Sequence, residues 1–111
     1  MDFKDLANLI FPDAKDIDYY EKKYPERNLP EGAIVARFAP SPTGFIHIGG
    51  LFGSIIDRKL ANQTKGVFIL RIEDTDQKRE IENGIGQIVK GLKDFGVIPD
   101  EGVTSETEEC R

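Results

Sequence analysis

Ala33-Ile34-Val35-Ala36-Arg37-Phe38-Ala39-Pro40-Ser41-Pro42-Thr43-Gly44-Phe45-Ile46-His47-Ile48-Gly49-Gly50 is the stretch on which the reading of this 111-residue chain turns. Its first six residues are apolar and partly β-branched apart from Arg37, the composition of a buried strand over 33 to 38. Pro40, Pro42 and Gly44 then forbid regular structure, so the strand runs into a loop. From Gly49 to about Asn62, Leu51, Phe52, Ile55, Ile56 and Leu60 recur at helical spacing, while Asp57, Arg58 and Lys59 supply a wet face. Thr64-Lys65-Gly66 break that helix. Val67-Phe68-Ile69-Leu70-Arg71-Ile72 follows as a second strand, and its continuous apolarity suits a parallel strand covered on both faces. The unit is βαβ, with the two strands expected to be parallel, adjacent and joined by a right-handed crossover.

Downstream, Ile85, Ile88, Val89, Leu92 and Phe95 are spaced to face inward from a last helix. Gly84, Gly86 and Gly91 each lower its propensity by up to about 1 kcal/mol relative to alanine, so it must lean on packing. Residues 100 to 111 are acidic and polar without periodicity and read as a loose tail. Upstream, Phe3, Leu6, Ala7, Leu9 and Ile10 outline a short amphipathic helix, with Asp2 placed to cap it and Pro12 to stop it. A second short helix is expected from Asp18, where Asp18-x-x-Glu21 has capping-box spacing, to Tyr24, before Pro25. Residues 25 to 32 read as a loop.

A chain of this length holds one domain at most and is small for an enzyme that must hold several substrates. Its formal charge of -5 leaves no broad cationic footprint for a phosphate backbone, so most of any RNA-binding surface is expected elsewhere. The single Cys110 offers neither an internal disulfide nor a zinc site, and no protein-bound metal is expected in this segment. Residues 1 to 30 lack a basic region followed by a long apolar run. No window reaches the roughly 18 apolar residues of a membrane span, and a cytoplasmic protein with no membrane contact is expected.

A parallel βαβ unit gathers strand C-termini and the next helix N-terminus on one edge, where unpaired N–H groups and the helix dipole favour a phosphate. His47, Gly49 and Gly50 fall at that junction. An imidazole there can donate to a phosphate as charge builds in the transition state, and the glycines admit a nucleotide close to the backbone. A lone histidine beside isoleucines also fits an ordinary packed or surface residue. Arg37 is a cation on an apolar strand and asks for an anion or for solvent at the strand end. The prolines of the loop stiffen it, which suits a binding loop as well as a plain surface turn.

The fourteen residues from Arg37 to Gly50, followed by Arg71-Ile72-Glu73-Asp74-Thr75-Asp76, resemble the nucleotide and amino-acid site of the bacterial-type glutamyl-tRNA synthetases, which are class I aminoacyl-tRNA synthetases. The resemblance covers roughly residues 33 to 103. It implies an α/β fold: the first half of a Rossmann-like class I synthetase nucleotide-binding domain at 33–111, truncated, behind a helical leader at 1–32. It implies catalytic roles for His47, Gly49 and Gly50, and ATP binding by these residues and Thr43. It assigns glutamate to Arg37, through the side-chain carboxylate, to Ala39 and Ser41, and to Glu73, through the α-amino group. Gly50 stands where the class signature His-Ile-Gly-His has its second histidine. Ala39-Pro40-Ser41-Pro42, where glutaminyl and archaeal or eukaryotic glutamyl enzymes carry a Pro-Pro-Glu-Pro type loop, favours the bacterial type.

The implied substrates are L-glutamate, ATP with Mg2+, and tRNA, the last held mostly by regions absent here. The lysine loop and the rest of the glutamate pocket are not in these 111 residues, so the chain is expected to be an N-terminal fragment, inactive alone, of an active ligase. The alternatives are a paralogue that attaches glutamate to queuosine in a tRNA, and a non-catalytic nucleotide- or partner-binding module. Asp74 and Asp76 belong to the same signature but read first as helix-capping or solvated charges. Asp57, Arg58, Lys59, Lys78 and Arg79 could touch an RNA acceptor end but read first as solvated helix faces.

Overall fold

The computed structural model describes residues 1–43, 46–73, 83–104 and 109–110. Two leader helices come first, α1 (Phe3–Ile10) and α2 (Ile17–Lys23). The α1 helix starts where Asp2 accepts the Asp5 amide at 2.8 Å, as the sequence predicts. The α2 helix is capped by Asp16 instead of Asp18: the Asp16 carboxylate accepts the Tyr19 amide at 2.9 Å, and Asp18 falls in the first turn, where its charge suits the helix dipole. Neither helix buries a residue. The loop after α2 is tied down by Arg27, which donates to both carboxylate oxygens of Glu101 at 2.8 and 2.6 Å.

Strand β1 (Val35–Phe38) is followed by α3 (Ile48–Thr64), β2 (Val67–Leu70), α4 (Gly84–Asp94), β3 (Glu101–Val103) and β4 (Glu109–Cys110). The sheet order is β1-β2-β3-β4. The first two strands are parallel and adjacent, with Val35 opposite Val67 and Phe38 opposite Leu70. Both strands are shorter than expected, but pairing outlasts the regular ladder: the Arg71 amide donates to the Phe38 carbonyl and the Glu73 amide to the Pro40 carbonyl, each at 2.9 Å. The α3 helix ends at Lys65, which takes the left-handed conformation at φ 55°. Gly66 must lack a side chain because a Cβ there would overlap the Ile34 carbonyl oxygen.

The expected loose tail is corrected at Glu101–Val103 and Glu109–Cys110, while 105–108 and 111 lie outside the described residues. β3 pairs parallel with β2, and β4 antiparallel with β3. The cause is Asp100, whose amide donates to the Phe68 carbonyl at 2.9 Å while its carboxylate accepts the Phe68 amide at 2.8 Å. Gly102, at φ 86°, then lets β3 approach so closely that a Cβ would overlap the Leu70 carbonyl oxygen.

Side chains alternate across the sheet, so Ala36, Phe38, Phe68 and Leu70 share one face, and Val35, Arg37, Val67 and Ile69 the other. The first face carries the core, formed with Leu51 and Ala61 of α3, Ile88 and Leu92 of α4, and Val97. On the second face Val67 is buried, Ile69 half-buried and Val35 exposed, so the expected cover on both faces is met only in part.

Two inward stripes also differ from expectation. The line of α3 toward the core runs through Leu51, Ser54 and Ala61, leaving Phe52, Ile55, Ile56 and Leu60 exposed. Ser54 and Ala61 are small, and Ser54 satisfies its hydroxyl on the Leu51 carbonyl at 2.8 Å. On this same line lies Arg58, predicted to be solvated. Its guanidinium donates to Asp100 at 2.7 Å and to the Ile98 carbonyl at 3.0 Å and lies over the Phe68 ring. In α4, Ile88 and Leu92 point inward, but Phe95 is 64% exposed because the helix has ended there and Val97 fills the inward place. The pair Lys78 and Arg79 lies outside the described residues.

Candidate functional site

At the C-terminal end of β1 the chain leaves the sheet as a clamped loop. Thr43 donates its amide to the Ser41 carbonyl at 2.8 Å, closing a tight turn, and Pro42 within it is buried. Gly84, the first residue of α4, lies against the Pro42 backbone so closely that a Cβ would overlap its carbonyl oxygen. Between this loop and the start of α3 opens a cleft of about 210 Å3, lined by Phe38, Pro40, Ser41, Thr43, Ile46, His47, Gly50 and Ile88. That is below the ~300 Å3 at which pockets begin to enclose a whole drug-sized ligand, and it suits part of one.

His47 is the N-cap of α3. Its Nδ1 accepts the amides of Gly49 at 3.1 Å and Gly50 at 3.4 Å. A ring nitrogen that accepts carries no hydrogen, so the neutral ring holds its hydrogen on Nε2, as a donor beside the cleft. The two glycines make this possible. A Cβ on Gly49 would stand 3.1 Å from His47 Cε1, and one on Gly50 would stand 3.3 Å from Ile46 Cγ2 and 3.5 Å from Phe38 Cζ. Their missing side chains thus make room for the protein's own groups. Gly50 lines the cleft, whereas Gly49 belongs to an apolar groove with Ile48, Leu51, Phe52, Ile55 and Phe95.

Arg37 and Glu73 stand apart from the cleft lining. Arg37 Nη1 is 4.0 Å from Glu73 Oε1, and both side chains reach solvent. Arg37 has the sheet parity opposite to Phe38, which lines the cleft, so its side chain leaves β1 on the other side from the cleft lining. Ala39 lies between the two, half-buried. The sequence-predicted site is therefore divided into Ser41, Thr43, His47 and Gly50 at the cleft and Arg37 with Glu73 beside it. Sequence reasoning missed Arg71, whose Nε lies 3.0 Å from the same Glu73 oxygen. The available signal was its spacing: in an extended segment, residues two apart share a face. Asp74 and Asp76 lie outside the described residues.

Away from this edge, burial raises the Asp57 carboxyl above its ordinary value, and the hydrogen bond to Glu101 raises the Arg27 guanidinium. Among the described residues no three His, Cys, Asp or Glu side chains are grouped to hold a metal ion, and no helix is long and apolar enough to cross a membrane.

Three parallel strands, with a crossover helix capped by His47 and with a guanidinium and a carboxylate at the neighbouring strand ends, make up this edge of the molecule. The chain belongs to the tRNA synthetases class I (E and Q), catalytic domain, whose family description matches residues 33–111. Among its relatives, the glutamate--tRNA ligase of Clostridium perfringens (strain 13 / Type A) is 56% identical over 110 residues, covering 98% of this chain and 20% of that protein. The glutamate--tRNA ligase of Acetivibrio thermocellus is 53% identical over 104 residues, covering 92% of this chain and 19% of its own length. The chain thus spans about a fifth of the length of these relatives. Among solved structures, the glutamate-tRNA synthetase of Elizabethkingia anophelis is similar with a TM-score of 0.60 and 43% identity, over 62% of this chain and 14% of that one. A glutamate tRNA ligase from Elizabethkingia meningosepticum, in complex with its amino acid, gives 0.59 and 44%, over 61% of this chain and 14% of that one.

Proposed function

We propose that residues 33–111 form the first half of the catalytic nucleotide-binding domain of a glutamate--tRNA ligase, with residues 1–32 as a helical leader. The ligase joins L-glutamate to the AMP moiety of ATP, supplied with Mg2+, and then to tRNA, in the cytoplasm. The observation that carries this reading is the divided edge: a histidine donor over a cleft on one side of β1, and a guanidinium facing a carboxylate on the other.

In the proposed reaction, an α-carboxylate oxygen of glutamate attacks the α-phosphorus of ATP, the bond to the bridging oxygen breaks, and pyrophosphate leaves. Arg37 receives the side-chain carboxylate, since a planar fork of donors matches two oxygens. Glu73 receives the α-ammonium group, and the Ala39 backbone with the Ser41 hydroxyl sets the amino acid's position. His47, Gly50 and Thr43 face the nucleotide. Through Nε2–H, His47 stabilises negative charge growing on the phosphate oxygens without giving up its proton. The adenylate formed is then attacked by a terminal ribose hydroxyl of tRNA, and AMP departs.

Aminoacylation by the complete ligase carrying this segment tests the reading. Attachment of labelled glutamate to the tRNA 3′ end, dependent on ATP, is the expected result. No glutamate attachment with intact tRNA and ATP present would refute it, and attachment to a base instead of the 3′ end would redirect it to the queuosine reaction.

A further inference from the structure

Resting on the glutamate reading, we propose that Arg71 is a positioning and specificity residue of the amino-acid subsite: it holds one oxygen of Glu73 and makes the subsite net cationic. Hydrogen bonds from the Arg71 amide to the Phe38 carbonyl and from the Glu73 amide to the Pro40 carbonyl pin this segment to the end of β1, which places the Arg71 and Glu73 side chains on the face that carries Arg37. There Glu73 Oε1 lies 3.0 Å from Arg71 Nε and 4.0 Å from Arg37 Nη1. The nearest approach of each arginine to Glu73 is made to Oε1. One oxygen is therefore held by the protein, and the other remains to accept a ligand's ammonium group.

Charge counting sharpens the point. Arg37 and Glu73 alone sum to zero and would favour no particular net charge in the ligand. Counted over the described residues, Arg71 brings the subsite to +1, the complement of an amino acid carrying one net negative charge, and it disfavours the neutral amide analogue. Arg71 is 62% exposed and Arg37 53%, so water screens this field, and the expected effect is moderate.

Glutamate-dependent ATP–pyrophosphate exchange with tRNA present, in the complete ligase, tests this. Arg71→Gln is expected to raise the KM for glutamate about tenfold with kcat and the KM for ATP within about twofold, because a contact made equally in ground and transition states is lost. It is also expected to lower the preference for glutamate over glutamine. Arg71→Lys keeps the charge without the planar Nε donor and should recover part of the KM and most of the preference. An unchanged glutamate KM in both variants, or a loss of kcat alone, overturns the inference while leaving the glutamate reading in place. Should Arg71→Gln not fold, Arg71→Lys decides alone through its KM, expected to rise severalfold. Absence of glutamate-dependent exchange in the unmodified ligase overturns the underlying reading itself.

Discussion

A single methyl group placed at the first residue of α4 probes how the fold holds the site. At Gly84 a Cβ would overlap the Pro42 carbonyl oxygen and stand 2.9 Å from the carbonyl carbon and 3.1 Å from the Pro42 Cβ, where ordinary contact begins at 3.4 Å. The obstacle is backbone in a turn closed by the Thr43 amide, so it cannot swing aside as a flexible side chain would. Overpacking of this kind costs about 1–3 kcal/mol, against at most about 1 kcal/mol gained from alanine's better helix propensity. A net loss of about 1–2 kcal/mol is expected for Gly84→Ala. In a domain of this size that lowers Tm by roughly 4–15 °C.

Gly91, in the same helix, is the matched control. A Cβ there meets nothing within 4 Å. Gly91→Ala should therefore stabilise by about 0.5–1 kcal/mol. Thermal and urea unfolding of the two variants, followed by circular dichroism, makes the comparison. If Gly84→Ala is as stable as Gly91→Ala, the contact between α4 and the Pro42 turn is not what fixes the loop.

Two further outcomes follow from the same packing. Burial raises the Asp57 carboxyl above its unfolded value near 3.8, so the folded state favours the protonated form, and the cost of the buried charge is complete above the folded value and fades as pH falls toward the unfolded one. Asp57→Asn should raise Tm at pH 7 and lose that advantage below about pH 4, whereas a constant difference across pH would contradict the burial argument. Arg58→Met keeps the stem of the side chain but strips Asp100 of its cation; it should cost about 1–2 kcal/mol in urea unfolding, allowing for the partial exposure of Asp100. No loss of stability would show that Arg58 does not hold β3 to the sheet.

Much of this fold is legible in short segments because the deciding interactions are local. Asp2 before an amphipathic run and Thr64-Lys65-Gly66 after one give helix limits without knowledge of the rest of the chain. The third strand escaped because its cause is distant. Asp100 reaches Phe68 and Arg58 across more than thirty residues, and Glu101-Gly102-Val103 has no strand pattern of its own. The same applies to α3, where an apolar stripe through Phe52, Ile55 and Ile56 is more conspicuous in sequence than the small residues that actually meet the sheet.

For the site, residue types were legible but their sides were not fully drawn. The neighbours Arg37 and Phe38 must point to opposite faces of a strand. Applying that rule places the guanidinium apart from the cleft and places Arg71 beside Glu73.

Labour is divided across β1 in the proposed site, with His47 serving the transition state from the cleft and Arg37 binding the amino acid from the other side of the strand. Glutamate-dependent ATP–pyrophosphate exchange by the complete ligase, with tRNA present, tests this division through His47→Ala and Arg37→Ala. The first should lower kcat by about a hundredfold with little change in the glutamate KM, and the second should act chiefly on that KM. Full kcat in His47→Ala, or an unaltered glutamate KM in Arg37→Ala, would contradict the account.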